Sequence, residues 1–102
     1  MSGSVRANPV RGETALAGVL LRPSFGALVA AEAELGSLFA LVERVAEGRL
    51  TLNEGVALAW ACRVEPVRFT SREAFAEAVS VGGLAALSRA LAPLLAAIVR
   101  GG

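Results

Sequence analysis

Residues 22–36 read Arg-Pro-Ser-Phe-Gly-Ala-Leu-Val-Ala-Ala-Glu-Ala-Glu-Leu-Gly, a passage in which an extended segment turns directly into a helix. Pro23 biases Arg22 towards extended backbone and has no N–H to give to a ladder, so a strand arriving here ends or runs along an edge. Ser24 is placed to cap the helix, its hydroxyl accepting from a free N–H of the first turn, and Gly36 supplies the left-handed residue with which helices commonly close. The spacing predicts a helix over 25–35 with Phe25, Leu28 and Leu35 on one face. Glu32 falls on that face too. It is expected at the rim with its carboxylate in water, because unpaired acids are rarely buried; the alternative is a structural ion pair with Arg44 or Arg22.

Upstream, residues 12–16 and 19–22 read as two short extended segments joined by Ala17-Gly18, a hairpin pattern. Glycine suits the positive φ of a primed turn, whereas Ala17 is a poor turn residue, so the turn type stays open. An isolated hairpin is barely stable in water and has to pack on the helices that follow. Residues 1–9, with Gly3, Asn8 and Pro9 and few large apolar groups, are expected to be a disordered lead. Residues 10–102 are then one domain.

Downstream, Ser37 caps a second helix over 38–47 with Leu38, Leu41, Val42 and Val45 as its apolar stripe, closed by Gly48. Thr51 and Glu54 make a capping-box pair for a third helix, with Leu52, Val56, Ala59, Trp60 and Arg63 marking one side. Trp60 reads as core filling with its indole N–H at a polar edge. Glu65-Pro66 breaks the helical pattern, and 67–69 is a linker. Thr70 and Glu73 repeat the capping-box spacing ahead of a short helix bearing Phe75 and Val79, which 81–83 end. From Leu84 onwards Leu87, Leu91, Leu94, Leu95 and Ile98 form a long apolar stripe, and Pro93 is expected to kink or restart that last helix. The fold class is mainly α with a short N-terminal β-hairpin (α+β), a compact bundle of four or five short helices. Its core is expected from Phe25, Leu38, Phe39, Trp60, Phe75 and the 84–98 stripe.

The whole chain limits what such a bundle does. At 102 residues it has room for one core. A formal net charge of +1 lacks the basic surplus of a nucleic-acid binder. All ten basic residues are Arg, and Arg6 and Arg11 read as solvated surface. A mean hydropathy of +0.61 is high but owes much to alanine. Residues 84–99 are interrupted by Arg89 and Pro93, short of the roughly 18 apolar residues of a membrane span. Residues 1–9 lack an apolar leader core, so a cytoplasmic location is expected. Cys62 is the single cysteine and, with no histidine in the chain, has no zinc partner; it reads as a small buried hydrophobe.

Histidine and tyrosine are both absent, which removes the commonest acid–base residue, and Gly82-Gly83 lacks the Lys-Ser or Lys-Thr of a phosphate loop. No catalytic residue, metal or cofactor is expected. What the inventory allows is a helical adaptor offering an apolar face to another chain. The last helix carries more leucine than one face of a short helix hides, so Leu87, Leu91, Leu94, Leu95 and Ile98 are the candidate partner-binding residues, with core packing accounting for most of them. Ser24, Phe25, Gly26, Glu32, Gly36, Thr51 and Trp60 are expected in structural roles.

Several of these pieces recur together in one family. Asn8-Pro9-Val10-Arg11-Gly12-Glu13, Leu21-Arg22-Pro23-Ser24-Phe25-Gly26-Ala27-Leu28, Glu32 with Gly36, Arg44-Val45-Ala46-Glu47-Gly48-Arg49-Leu50, Gly83-Leu84 and Leu94-Leu95 give the chain a resemblance to the small tail proteins of bacterial gene transfer agents and related tailed phages, a family grouped with phage tail assembly chaperones. The chain departs from it at Ala17-Gly18, where relatives have a longer polar turn, and at Ala31, where a leucine is common. The motifs concern packing and turns rather than catalysis. The resemblance implies either a tail assembly chaperone, which keeps the tape measure protein soluble and helps to recruit tail tube subunits, or a structural tail tube component. A tube subunit of this type is expected to be β-rich, so one hairpin among helices favours the chaperone. Its partners would be the tape measure and tube proteins, with a second chaperone and self-association left open. It would act in the bacterial cytoplasm as part of an assembly intermediate, or reside in the particle tail if structural. A small helical DNA-binding module is the weaker alternative.

Overall fold

The computed structural model describes residues 11–100. The expected lead over 1–9 lies outside the described residues. The order of elements is β1 (Thr14–Leu16), β2 (Val19–Leu21), α1 (Phe25–Leu35), α2 (Leu38–Ala46), α3 (Leu52–Ala61) and α4 (Arg72–Arg100). The hairpin and helical bundle expected from the sequence are both present.

β1 and β2 pair antiparallel with Leu16 opposite Val19, leaving Ala17 and Gly18 as a two-residue loop. Both loop residues have positive φ, 52° and 78°, the pattern of a type I′ turn. Alanine is disfavoured in that conformation, and the loop has outside support: Arg68 Nε donates to the Ala17 carbonyl at 3.2 Å. β2 stops before Pro23, as the missing N–H requires. Its other edge is covered by the segment after α3: Val64 donates to Leu20 and Arg22 donates to Cys62, at 2.9 and 2.8 Å. The chain leaving Trp60 thus first closes the hairpin, with a bridge between Leu21 and Arg63, and continues through a cis Glu65–Pro66 bond.

The helix starts follow local chemistry. Ser24 Oγ accepts from Ala27, and Ser37 Oγ accepts from Ala40, each at 3.2 Å. Thr51 and Glu54 complete a reciprocal capping box at 3.1 Å in both directions. At α4 the cap is Ser71, which accepts from Ala74 at 3.1 Å, one residue beyond the expected Thr70. Two adjacent hydroxyls compete for this role, and Ser71 wins in a register that buries Phe75 and Val79.

α3 is the centre of the bundle. Residues 55 to 59 are all buried, so this helix is packed on every side rather than along the one side the spacing indicated. Gly55 makes that possible: a Cβ there would stand 2.5 Å from Leu87 Cδ2, so α4 crosses α3 at glycine. α4 is itself two helical arms, because Gly83 leaves the helical region with φ 81° and ψ 170°. The break expected at 81–83 is therefore present. Pro93 does not restart the helix as one expectation had it: it lies inside α4, and Gly83 is the position with non-helical backbone; buried Leu91 and Leu94 flank the hydrogen bond that proline removes. By length and mean hydropathy Arg72–Arg100 would suffice to cross a membrane; its backbone breaks at Gly83, and Phe75, Val79, Leu87, Leu91 and Leu94 on it are buried within the domain.

The core departs from expectation at both early phenylalanines. Phe25 is 84 % exposed and Phe39 69 %. α1 meets the bundle at Ala31, which is buried, with Leu28 and Leu35 half-buried beside it. That small contact residue lets the helix lie close and rolls Phe25, in the terminal turn, out of the interface. On α2 the buried residues are Leu38 and Leu41, and Phe39 lies about 100° round from Leu38. Leu84, next to the Gly83 break, is exposed as well.

Candidate functional site

The candidate partner-binding stripe is inside the domain. Leu87, Leu91 and Leu94 have no exposed surface, Leu95 is buried and Ile98 is half-buried. This corrects the expectation of a leucine surface on the last helix: α3, with glycine at the crossing, approaches closely enough to cover it. Apolar surface is available elsewhere. Phe25, Val29, Phe39, Leu52, Val81, Leu84 and Val99 are the exposed large hydrophobic residues among those described.

The structural residues fall mostly where expected. Ser24, Gly36 and Thr51 terminate helices. Gly26 is exposed on α1 with open space where a Cβ would be. Glu32 is exposed, and its Oε2 accepts from the Leu38 backbone N–H at 3.4 Å; this carboxylate ties α1 to the start of α2. The two arginines considered for it pair with other acids. Arg22 meets Glu13 at 2.8 Å and Arg44 meets Glu54 at 2.7 Å. Trp60 is half-buried, its ring 5.4 Å from Phe75 with the Arg63 guanidinium 4.0 Å above it. Core packing with one polar side is its observed role.

Two ion pairs lock helices to one another. Arg44 gives two hydrogen bonds to Glu54 Oε2, joining α2 to α3. Arg72 grips both oxygens of Glu34 at 2.8 and 2.6 Å, joining α4 to α1, the planar fork geometry that favours arginine over lysine. The hydrogen bonds from Arg72 hold the Glu34 carboxyl below the usual carboxylate range. The Thr51 backbone N–H, and then Arg44, do the same for Glu54. Burial pushes the Cys62 thiol up to about 12, which makes it inert at neutral pH.

Among the described residues no three His, Cys, Asp or Glu side chains converge as a metal site would need. Two clefts stand out on the described surface. One, of about 330 Å³, lies between the starts of α3 and α4 and is lined by Leu52, Asn53, Val56, Arg72, Glu73 and Ala76. The other, of about 630 Å³, lies between the hairpin and the segment from Val64 to Arg68. Arg72 in the first and Arg22 in the second are already engaged in the pairs described above.

Sequence reasoning missed buried Glu13, 5 % exposed beside Arg22, and the exposed phenylalanines. The signal for the latter was present: α1 is apolar on all sides apart from Glu32 and Glu34, and a small bundle covers only one side of a peripheral helix.

A fold of short capped helices with one hairpin is what the residue spacing predicted, and comparison with known families agrees with the resemblance stated above. The family model described as phage tail tube protein, GTA-gp10, matches residues 13–101. The chain belongs to this gene transfer agent and phage tail family. The matched span runs from buried Glu13 through the hairpin to the end of α4. No curated protein and no solved structure matches the chain.

Proposed function

We propose that this tail-family protein is a tail assembly chaperone, a cytoplasmic protein that binds the tape measure protein, keeps it soluble and helps to recruit tube subunits. The observation that carries this reading is the distribution of secondary structure. The two strands among the described residues are three residues each, and β2 is covered on both edges, by β1 and by the Leu21–Arg63 bridge. A tube built by extending sheets around a ring needs long open strand edges. Exposed Phe25, Val29 and Phe39 supply instead the apolar surface that reversible binding of an aggregation-prone chain requires. Such work needs no catalytic group.

The family's own description, phage tail tube protein, favours a second reading, a structural tail component that remains in the particle. Co-expression separates the two. Under the chaperone reading, the tape measure protein is soluble and captured with this chain, and precipitates without it. A tape measure protein that is neither captured nor solubilised, with this chain assembling into rings or tubes by itself, would establish the structural reading. A DNA-binding role would show as salt-sensitive duplex binding, which a formal net charge of +1 does not favour.

A further inference from the structure

α4 is a run of 29 residues whose backbone leaves the helical region at Gly83, with φ 81° and ψ 170°. That part of backbone space is essentially open to glycine alone. No packing demands glycine there, since a Cβ would meet no atom within 4 Å. Nor does the flanking sequence ask for a break: Leu84-Ala85-Ala86-Leu87 on its far side are strong helix formers. The bend therefore depends on the backbone freedom of one residue.

The bend gives α4 two separate seats. The arm before it, 72–82, is held by the fork of Arg72 on Glu34 of α1 and by Phe75, whose ring centroid lies 5.4 Å from that of Trp60 and 5.6 Å from that of Phe69. The arm after it, 84–100, packs Leu87 on Gly55 of α3 and Ala97 on Gly12; a Cβ on these glycines would lie 2.5 Å from Leu87 Cδ2 and 2.6 Å from Ala97 Cβ. A straight helix fills one seat only. It would run about 43 Å, past the domain's longest dimension of 40 Å, and would carry Leu87, Leu91 and Leu94, which have no exposed surface in the bent form, into water. The surface that fits this arm is the α3 seat, and a second copy that has straightened in the same way offers it empty. Reciprocal exchange restores the contacts of both arms and closes under twofold symmetry. It also brings the two bends together between the domains. Val81, 90 % exposed, Leu84, 45 % exposed, and exposed Ala85 stand there, apolar residues that the closed monomer leaves in water.

We infer that Gly83 sets the balance between a closed monomer and an exchanged dimer, in which α4 is straight and residues 84–100 fill the α3 seat of a second copy. Glycine favours the monomer, because the bend costs it no strain and closure on the chain's own α3 needs no second molecule. A Cβ at this position strains the bent form and strengthens the straight helix, moving the balance to the dimer.

The test is light scattering of wild type, Gly83→Ala and Gly48→Ala over a range of concentrations. Gly48 has φ 73° and equally open space, but lies past the end of α2, where no helix continues, so its replacement carries the backbone strain without a straight alternative. The expected result is monomeric wild type and Gly48→Ala, and a dimer fraction at least about tenfold higher for Gly83→Ala. Exchange is then read by NMR on dimers mixed from isotope-labelled and unlabelled chains, as contacts between the Gly55 α-protons of one chain and the Leu87 methyls of the other. A Gly83→Ala protein that stays monomeric overturns the inference, and so does a dimer whose Gly55–Leu87 contacts are all within one chain. Should Gly83→Ala not fold, wild type cooled from its melting temperature at high concentration is measured in the same way: interchain Gly55–Leu87 contacts support exchange, and recovery of monomer alone overturns it.

Discussion

Replacing Gly55 by alanine tests the packing on which the fold depends. A Cβ at this position would lie 2.5 Å from Leu87 Cδ2, 3.0 Å from Leu87 Cγ and 3.4 Å from Leu91 Cδ1. Neither leucine has exposed surface into which to move. Two effects oppose each other. Alanine is favoured over glycine within a helix by roughly 0.8–1.0 kcal/mol, while overpacking a filled core costs about 1–3 kcal/mol. Overpacking wins, so Gly55→Ala is expected to lose about 1 kcal/mol net and to melt roughly 4–8 °C lower. Leu87→Ala alone is expected to lose about 2–5 kcal/mol by opening a cavity. In that background the methyl group introduced by Gly55→Ala has room, and the same glycine replacement becomes stabilising by about 1 kcal/mol, a coupling of about 2 kcal/mol between the sites. Urea unfolding of the two single variants and the double variant measures it. Equal stabilisation by Gly55→Ala in both backgrounds would mean that α3 and α4 do not cross at this glycine, and the arrangement of the core would be wrong.

Three further outcomes follow from local features. Ala17→Gly removes the strain of an alanine at φ 52° and is expected to raise stability by roughly 0.5–1 kcal/mol, read as a higher urea midpoint. Glu34 and Glu54 have folded pKa values below their unfolded ones, so their contribution is present above the ordinary value of 4.5 and is lost as pH falls through the folded values. Stability should therefore decline on acidification below about pH 5, and Glu34→Gln should flatten that decline most clearly at low salt, because both partners are partly exposed. Cys62 is 1 % exposed, so at a mildly alkaline pH a thiol reagent should modify it only on unfolding, with the labelling rate rising in step with the unfolded fraction; rapid labelling of native protein would show that α3 ends differently.

What the sequence made legible is mostly what local chemistry decides. Ser24, Ser37 and the Thr51–Glu54 box cap the helices that their spacing implied, because a hydroxyl before an apolar run satisfies free N–H groups wherever the helix packs. Gly83 breaks the last helix for an equally local reason. Less legible was which side of each helix the rest of the chain covers. Phe25 and Leu91 are both large apolar residues at helical spacing, and only the meeting of α1 with the core at Ala31, and of α4 with α3 at Gly55, leaves one in water and the other buried. Pairing of Leu21 with Arg63 joins residues far apart in sequence and had no periodic signal. The partner stripe was misplaced for the same reason: leucine content measures how much must be buried, and says nothing of whether the domain or a partner buries it.

The most direct measurement for the chaperone reading is the amount of this chain, relative to the tube subunit, in purified tail-bearing particles, by quantitative mass spectrometry. A chaperone leaves on assembly, so the chain should be absent or far below tube stoichiometry, while abundant in the lysate of assembling cells. Recovery at tube stoichiometry in washed particles would contradict the proposed role and make the protein a structural part of the tail.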